Sequence, residues 1–274
     1  MIAAYESVTS EGRAIDVRVE DGIDVRILPD RGFDIGDAWF RGRRIAWLSP
    51  LGERRWRGDF ARSFGGGLVV TCGLRNVGMP SEGHPQHGLF TSLPAADVRI
   101  ERSADGVVAA RGRVVEADVP GATLELEREI VLDGGVRITD VTRNLGRERE
   151  PAPILYHCNF LWDGVEVDSD EVRPRDDDAA AGDWRELGPS GPERVYEHVG
   201  ASSAIVTRGA ARLTLTWTLP RLWQWIHPEY GVLGLEPANC SVLGRAHDRL
   251  EGRLPMLAPG EERMTSITIT AEVT

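Results

Sequence analysis

Residues 97 to 143 constrain the fold more than any other part of the sequence. Four segments in this region, VRIER, VVAARGRVVEADV, ATLELEREIVL and VRITDVTRN, alternate apolar and polar side chains. They are separated by turn-forming residues at Asp105-Gly106, Pro120-Gly121 and Asp133-Gly134-Gly135. Period-two alternation places successive side chains on opposite faces of a strand, and glycine-containing turns reverse the chain. The region therefore predicts four consecutive antiparallel strands, as in a sandwich or another large β-sheet protein.

The same pattern recurs outside this region. Residues 14–27 predict a hairpin around Asp21-Gly22, and further strands are expected at 204–206, 211–219 and 264–273. Residues 163–200 are acidic and rich in proline and glycine, which predicts a long surface excursion bordering the site. We find no pattern for a long helix and no internal repeat. The predicted fold class is all-β, in a single domain over residues 1–274.

The composition of the chain limits which partners and cellular compartments are compatible with it. The formal net charge of −11 argues against nucleic acid and against an anionic membrane. Three cysteines lie far apart without a CxxC pair, which favours a reducing compartment and a cytoplasmic location. We expect neither a signal peptide nor a membrane span, because no basic segment precedes an apolar core and no apolar run approaches about 18 residues. The oligomeric state stays open, and a homodimer is compatible with the sequence.

The stretch from Trp223 to Asn239, WQWIHPEYGVLGLEPAN, carries the first chemical signal. Its apolar run Val232–Leu235 predicts a buried strand, which we expect to end at Glu236 because Pro237 cannot donate to a ladder. A carboxylate is costly to bury unless it has partners or a task. Together with the nearby indole rings, which can stack on sugar C–H surfaces, it indicates a carbohydrate pocket with an acid/base carboxylate. The alternative is a core strand whose final Glu caps a loop.

A second signal lies in the apolar segment PILYHCNFLW, residues 153–162. His157 and Asn159 are two residues apart and therefore share one face of the expected strand. An imidazole in such a strand needs a hydrogen-bond partner, so His157 is either an acid/base group or a core histidine satisfied by backbone. Cys158 points to the opposite face, which disfavours a Cys–His nucleophile pair.

The loop after the triple glycine Gly65-Gly66-Gly67 supplies the remaining candidates. We interpret the glycines as a tight turn or a close backbone approach, because no phosphate-binding GK[ST] follows. Arg75 either holds a ligand or pairs with a nearby Asp. His84 and His87 form an H-x-x-H pair near Glu82, but no downstream residue has a recognisable ligand spacing, so we predict no metal. We expect His227 and His247 in loops.

Five motifs, in this order, resemble the aldose 1-epimerase (galactose mutarotase-like) superfamily. They are GGLVVTCGLRNVG, HGLFTSLPA, LYHCNF, LPRLWQW and GLEPAN. The resemblance runs roughly from Asp30 to Pro259 and is strongest for the branch known as domain of unknown function 4432. It implies a β supersandwich, in which large antiparallel sheets stack and a sugar lies in an open cleft.

The resemblance also implies roles for single residues and no cofactor. Glu236 would be the general base at the anomeric hydroxyl, and His157 the general acid at the ring oxygen. A sugar-binding Asp is expected between them in sequence, and no motif selects Asp163 or Asp183 for that role. The substrate-binding candidates are His87, which would also polarise the ring oxygen, Arg75, Asn76, Asn159 and Trp225.

Three functions are compatible with these residues. The first is an isomerase that interconverts the anomers of an aldose or aldose derivative. The second is a protein that binds a sugar in the same cleft without turnover. The third is an isomerase or lyase acting on keto-sugars or uronates, in one version with a metal at His84 and His87.

Overall fold

A computed structural model of the chain describes residues 2–53, 59–104, 106–119, 121–188 and 190–274. Antiparallel strands dominate them, which confirms the predicted all-β class. The strands are β1 (Ile2–Thr9), β2 (Gly12–Val19), β3 (Ile23–Leu28), β4 (Asp34–Phe40), β5 (Arg43–Arg44), β6 (Val70–Gly73), β7 (Ala96–Arg102), β8 (Val108–Ala117), β9 (Thr123–Leu132), β10 (Val136–Asn144), β11 (Glu150–Pro151), β12 (Ile154–Phe160), β13 (Gly164–Val167), β14 (Glu171–Pro174), β15 (Arg194–Val199), β16 (Ser203–Arg208), β17 (Ala211–Trp217), β18 (Arg221–His227), β19 (Val232–Ala238), β20 (Met256–Leu257) and β21 (Glu262–Val273).

Helices are few and short in the described part of the chain. They are α1 (Phe60–Ser63), α2 (Asp177–Ala180) and α3 (Arg245–Leu250), with single 3₁₀ turns at Phe90–Ser92 and Pro228–Tyr230. None of them is long and apolar enough to span a bilayer.

The strands form three large sheets and one two-stranded ribbon. The five-stranded sheet runs β1-β2-β3-β4-β5, and the eight-stranded sheet runs β13-β16-β17-β21-β10-β9-β8-β7. The six-stranded sheet has the order β14-β15-β18-β19-β12-β6, and β11 pairs with β20. All large sheets contribute side chains to one apolar core, for example Val17, Leu126 and Tyr156.

The alternation in the sequence accounts for the eight-stranded sheet. In β9, the alternate residues Leu124, Leu126, Arg128, Ile130 and Leu132 are fully buried, while the residues between them are partly or wholly exposed. Strands β12 and β19 of the six-stranded sheet are buried throughout. One face of that sheet therefore meets the main core, and its other face forms the floor of a cleft.

Several local predictions are confirmed. Asp21 has φ 59° in the turn between β2 and β3, and β7, β8, β9 and β10 pair in sequence as antiparallel neighbours. Asp105 and Pro120, predicted in the intervening turns, lie outside the described residues. The triple glycine is a close backbone approach: a Cβ on Gly65 would lie 1.9 Å from the carbonyl oxygen of Gly52.

Other local predictions are wrong. The excursion at 163–200 contains β15, an inner strand of the six-stranded sheet, because RVYEHV packs between β14 and β18. His227 ends strand β18, and His247 lies in α3. Strand β19 also continues past Glu236 to Ala238, since Pro237 stays paired with Leu222 of β18.

Candidate active site

The register of two buried strands places His157 opposite Glu236. Across β12 and β19, Leu155 pairs with Ala238 and Cys158 pairs with Leu235. In this antiparallel register, His157 and Glu236 lie opposite each other between those two pairs. The pairing is interrupted there, beside Pro237, which has no N–H to contribute. Side chains directly opposite each other project to the same face and can touch.

The two side chains are in direct contact. His157 Nε2 lies 3.1 Å from Glu236 Oε1, and the residues are only 4% and 3% exposed. Burial raises the pKa of Glu236 to about 8, helped by the charge of nearby Glu193. Burial, and then the neighbouring His87, hold the pKa of His157 well below its ordinary value. Both shifts disfavour charge, because a dry site penalises the ionised form of each group.

It follows that near neutral pH the pair carries one transferable proton. This proton can be on Glu236, beside a neutral imidazole, or on His157, beside a carboxylate. The two forms contain the same number of protons and differ only in where the proton lies. The pair therefore titrates as a unit. Such a pair can take a proton from one atom of a substrate and give a proton to another.

His87 is the second imidazole in the cleft. Its ring centroid lies 6.1 Å from that of His157, and burial lowers its pKa to about 4. Its Nδ1 accepts a hydrogen bond from the Gly78 backbone N–H at 3.4 Å, so we place the ring proton on Nε2. His87 is thus a neutral donor, held at φ 58° in a region that non-glycine residues seldom adopt.

Aromatic rings form the walls. Phe64 and Trp225 contact His157 with ring centroids 5.0 and 5.3 Å away, and Phe60 packs on His87 at 4.4 Å. These rings exclude water from the acid/base pair, which accounts for its shifted pKa values. A Cβ at Gly234, opposite Trp225, would lie 3.0 Å from both Glu236 Oε1 and His157 Cε1, so glycine makes room for the pair.

Sequence reasoning missed an ion pair at the mouth of the cleft. Glu193 accepts a hydrogen bond from Trp225 Nε1 at 2.8 Å and lies 3.2 Å from Arg175 Nη2. Both residues come from the predicted surface excursion and line the cleft. Their run of mixed charge carries no motif, so only the pairing of β15 with β18 identifies them.

The other predicted binding residues lie elsewhere. Arg75 forms an ion pair with Asp118 at 2.7 Å. Asn76 is fully buried, and its Nδ2 donates hydrogen bonds to the backbone carbonyls of Met79 and Pro85. Asn159 Nδ2 donates to the carbonyls of Gly67 and His157. None of the three lines the cleft, so their roles as sugar-binding residues stay predictions that the geometry does not favour.

The Asp candidates and the H-x-x-H pair can also be placed. Asp163 holds Arg208 and the Gly209 backbone N–H, and Asp183 lies near Arg185, so neither lines the cleft. Glu82 is bound by Arg245 and Arg249. Within the described ranges, no group of three or more His, Cys, Asp or Glu residues is arranged to hold a metal ion.

Known structures share this fold. A protein from Klebsiella pneumoniae, provisionally described as an aldose 1-epimerase, superposes with a TM-score of 0.84 at 22% identity over 98% of this chain and 83% of its own. A galactose mutarotase-like protein from Clostridium acetobutylicum gives 0.71 at 13% identity, covering 100% and 99%. The galactose 1-epimerase of Lactobacillus acidophilus gives 0.65 at 14% identity, covering 100% and 98%.

The protein thus has the fold of the galactose mutarotase-like β proteins. The chain belongs to the family called domain of unknown function (DUF4432), whose profile matches residues 10–271. No protein with a curated description matches it in sequence.

Proposed function

We propose that the protein is a carbohydrate isomerase that interconverts the anomers of an aldose or aldose derivative by acid/base ring opening and closure, without a cofactor. The observation that carries the proposal is the contact between His157 Nε2 and Glu236 Oε1 at the floor of an aromatic cleft. Structural relatives described as aldose and galactose 1-epimerases support it at the level of the fold.

The geometry suits the two oxygens that the reaction must address. The anomeric hydroxyl and the ring oxygen are bonded to the same carbon, so an acid and a base held in contact reach both from one side. Proximity of this kind replaces a collision of three molecules by a single bound complex.

The proposed step balances its protons. The shared proton first moves from Glu236 to His157. The Glu236 carboxylate then takes the proton of the anomeric hydroxyl, the C1=O bond forms, the bond from C1 to the ring oxygen breaks, and His157 protonates that oxygen. Rotation about C1–C2 presents the other face of the aldehyde. His157 then takes back the proton from the hydroxyl that attacks C1, and Glu236 returns its proton to the new anomeric oxygen.

The remaining cleft residues would bind the sugar. His87 Nε2–H is a neutral donor for the ring oxygen or an adjacent hydroxyl, and Trp225 offers an indole face to sugar C–H groups. The Glu193 carboxylate, fixed by Trp225 and Arg175, is the acceptor that we assign to sugar hydroxyls. It lies between His157 and Glu236 in sequence, where the resemblance implies a carboxylate.

The test is exchange NMR spectroscopy on single anomers of a broad sugar panel. We expect the protein to accelerate interconversion, and Glu236→Gln to lower kcat/KM by about 10²–10⁴-fold, the usual contribution of a general acid/base group. Glu229→Gln, at an exposed acid of the same segment, is the matched control and should retain the rate.

Three results would contradict the proposal. No acceleration with any sugar would exclude it. If the unchanged protein binds a sugar without turnover, and this binding survives Glu236→Gln, the sugar-binding function would be favoured instead. Activity that persists in Glu236→Gln would remove the carboxylate from the mechanism.

A further inference from the structure

The cleft continues outward from the acid/base pair into a larger, aromatic part. Phe60, Phe64, Glu193 and Trp225 line both parts, so the two are connected. The cavity volume of the inner part is about 80 Å³ and that of the outer part about 580 Å³. Most of the space in the cleft therefore lies outward of the Glu–His pair.

The outer part has a fixed aromatic surface. Trp47 Nε1 donates a hydrogen bond to the backbone oxygen of Tyr230 at 2.9 Å, which anchors the indole. The Tyr230 ring packs on His227, with centroids 4.5 Å apart, yet Tyr230 remains 52% exposed. An exposed tyrosine whose neighbours are held in place offers contact area at little cost in conformational entropy.

The position of the chemistry sets which end of a sugar faces this surface. Glu236 and His157 lie at the floor, so the anomeric carbon must point inward. The opposite end of the ring, with its hydroxyls at C4 and C6, then faces Tyr230 and Trp47. A group attached there would lie in the outer part.

The side chains that line the outer part indicate the chemical nature of the group attached to the sugar. Ser49, Gln86 and His227 lie among the aromatic residues of the lining. A pyranose ring has apolar faces and hydroxylated edges, and it matches such a mixture better than a purely apolar group does.

Resting on the proposed function, we infer that the substrate is a reducing oligosaccharide, whose reducing ring lies over Glu236 and His157 and whose second pyranose ring stacks on Tyr230 and Trp47. The outer cleft is thus a second sugar subsite, and it makes kcat/KM depend on chain length.

The test compares monosaccharides with reducing disaccharides. Anomer exchange is measured for glucose and galactose and for maltose, cellobiose, lactose and melibiose, which extend the reducing ring at O4 or O6. We expect at least one disaccharide to exceed the monosaccharide of its reducing ring in kcat/KM by about fivefold, the size of one aromatic contact. Tyr230→Ala should remove most of that preference. Tyr5→Ala, at another exposed tyrosine, on β1, should keep it.

The outcomes separate this inference from the proposed function. Equal kcat/KM for single and double rings, or a preference that survives Tyr230→Ala, would overturn the second subsite and leave the isomerase intact. If no sugar is turned over, binding of the same sugars is followed by tryptophan fluorescence. If disaccharides then bind more tightly than monosaccharides, and Tyr230→Ala removes the difference, the second subsite is supported although the proposed isomerase activity is not. Binding without that preference would overturn both.

Discussion

At the scale of single residues, the proton shared by Glu236 and His157 dictates how activity should depend on pH. The pair is competent when it holds one transferable proton. Because the pKa of Glu236 is raised to about 8, the proton is lost as pH rises through that value. Because the pKa of His157 is held well below 6.5, a second proton binds only in acid.

We therefore expect kcat/KM, corrected for the spontaneous rate, to be level at neutral pH and to fall about tenfold per pH unit above 8. The profile from pH 5 to 10 measures this, since kcat/KM reports on the free protein. A limb near pH 4.5, with activity rising to a plateau that extends beyond pH 9, would mean that Glu236 titrates as an ordinary carboxyl and works as a free base.

The residue scale also shows what the sequence could and could not predict about the site. His157 and Glu236 could be selected because each interrupts an apolar strand, where an ionisable group needs a reason to be present. Glu193 could not, since it lies in a charged run where one more carboxylate carries no signal. Arg75 is the opposite case: its charge was compatible with either a ligand or a nearby Asp, and only the structure shows that it pairs with Asp118.

At the scale of secondary structure, the pairing of β12, β19 and β18 fixes the geometry of the site. Gly234 lies between Asn159 on β12 and Trp225 on β18. The Cβ of an alanine would meet Glu236 Oε1 and His157 Cε1 at 3.0 Å and Trp225 Cβ at 3.3 Å. The first two atoms are ends of side chains, which can shift by a few tenths of an ångström, so the strand itself need not move.

We expect Gly234→Ala to lower kcat/KM by about tenfold or more, because small displacements of reacting groups are costly. Its melting temperature should change little, and anomer exchange together with thermal denaturation measures both. Gly164→Ala is the control. Gly164 lies on β13, away from the cleft, and a Cβ there would be similarly close to a neighbour, 2.9 Å from Thr207 Oγ1. Parallel loss of stability and activity in Gly234→Ala would instead indicate a disrupted sheet.

The same scale marks the limit of reasoning from pattern alone. The alternation at 97–143 predicted β7 to β10, since one face of β8, β9 and β10 is buried and one face of β7 is partly buried through Val98 and Ile100. It could not predict that β19 continues through Pro237. A proline ends a strand only if a neighbouring strand requires a hydrogen bond from its backbone N–H, and the sequence does not show which neighbours pair there. Nor could it place β15 inside a sheet, because the acidic residues before it resemble a surface loop.

At the scale of the whole molecule, one buried arginine connects the three large sheets. Arg128 of β9 is fully buried and lies 2.6 Å from Asp140 on β10 and 2.7 Å from Asp34 at the start of β4. It also donates to the hydroxyl of Thr71 on β6 at 2.8 Å, and Tyr156 of β12 donates to Asp140. Strand β12, which carries His157, and strand β6, which follows the triple-glycine segment, are thus held against the rest of the protein by hydrogen bonds to this charged network.

We expect Arg128→Met to destabilise the protein by about 3–5 kcal/mol, because it leaves two carboxylates buried without their cation. Chemical denaturation measures the loss. Arg111→Met, which breaks exposed pairs with Glu101 and Glu129, should cost at most about 1 kcal/mol. Adding Asp34→Asn and Asp140→Asn to Arg128→Met should recover part of the loss, since the uncompensated charges are removed. If Arg128→Met were no more destabilising than Arg111→Met, the sheets would be held by apolar packing alone, and the charge network would not position the site.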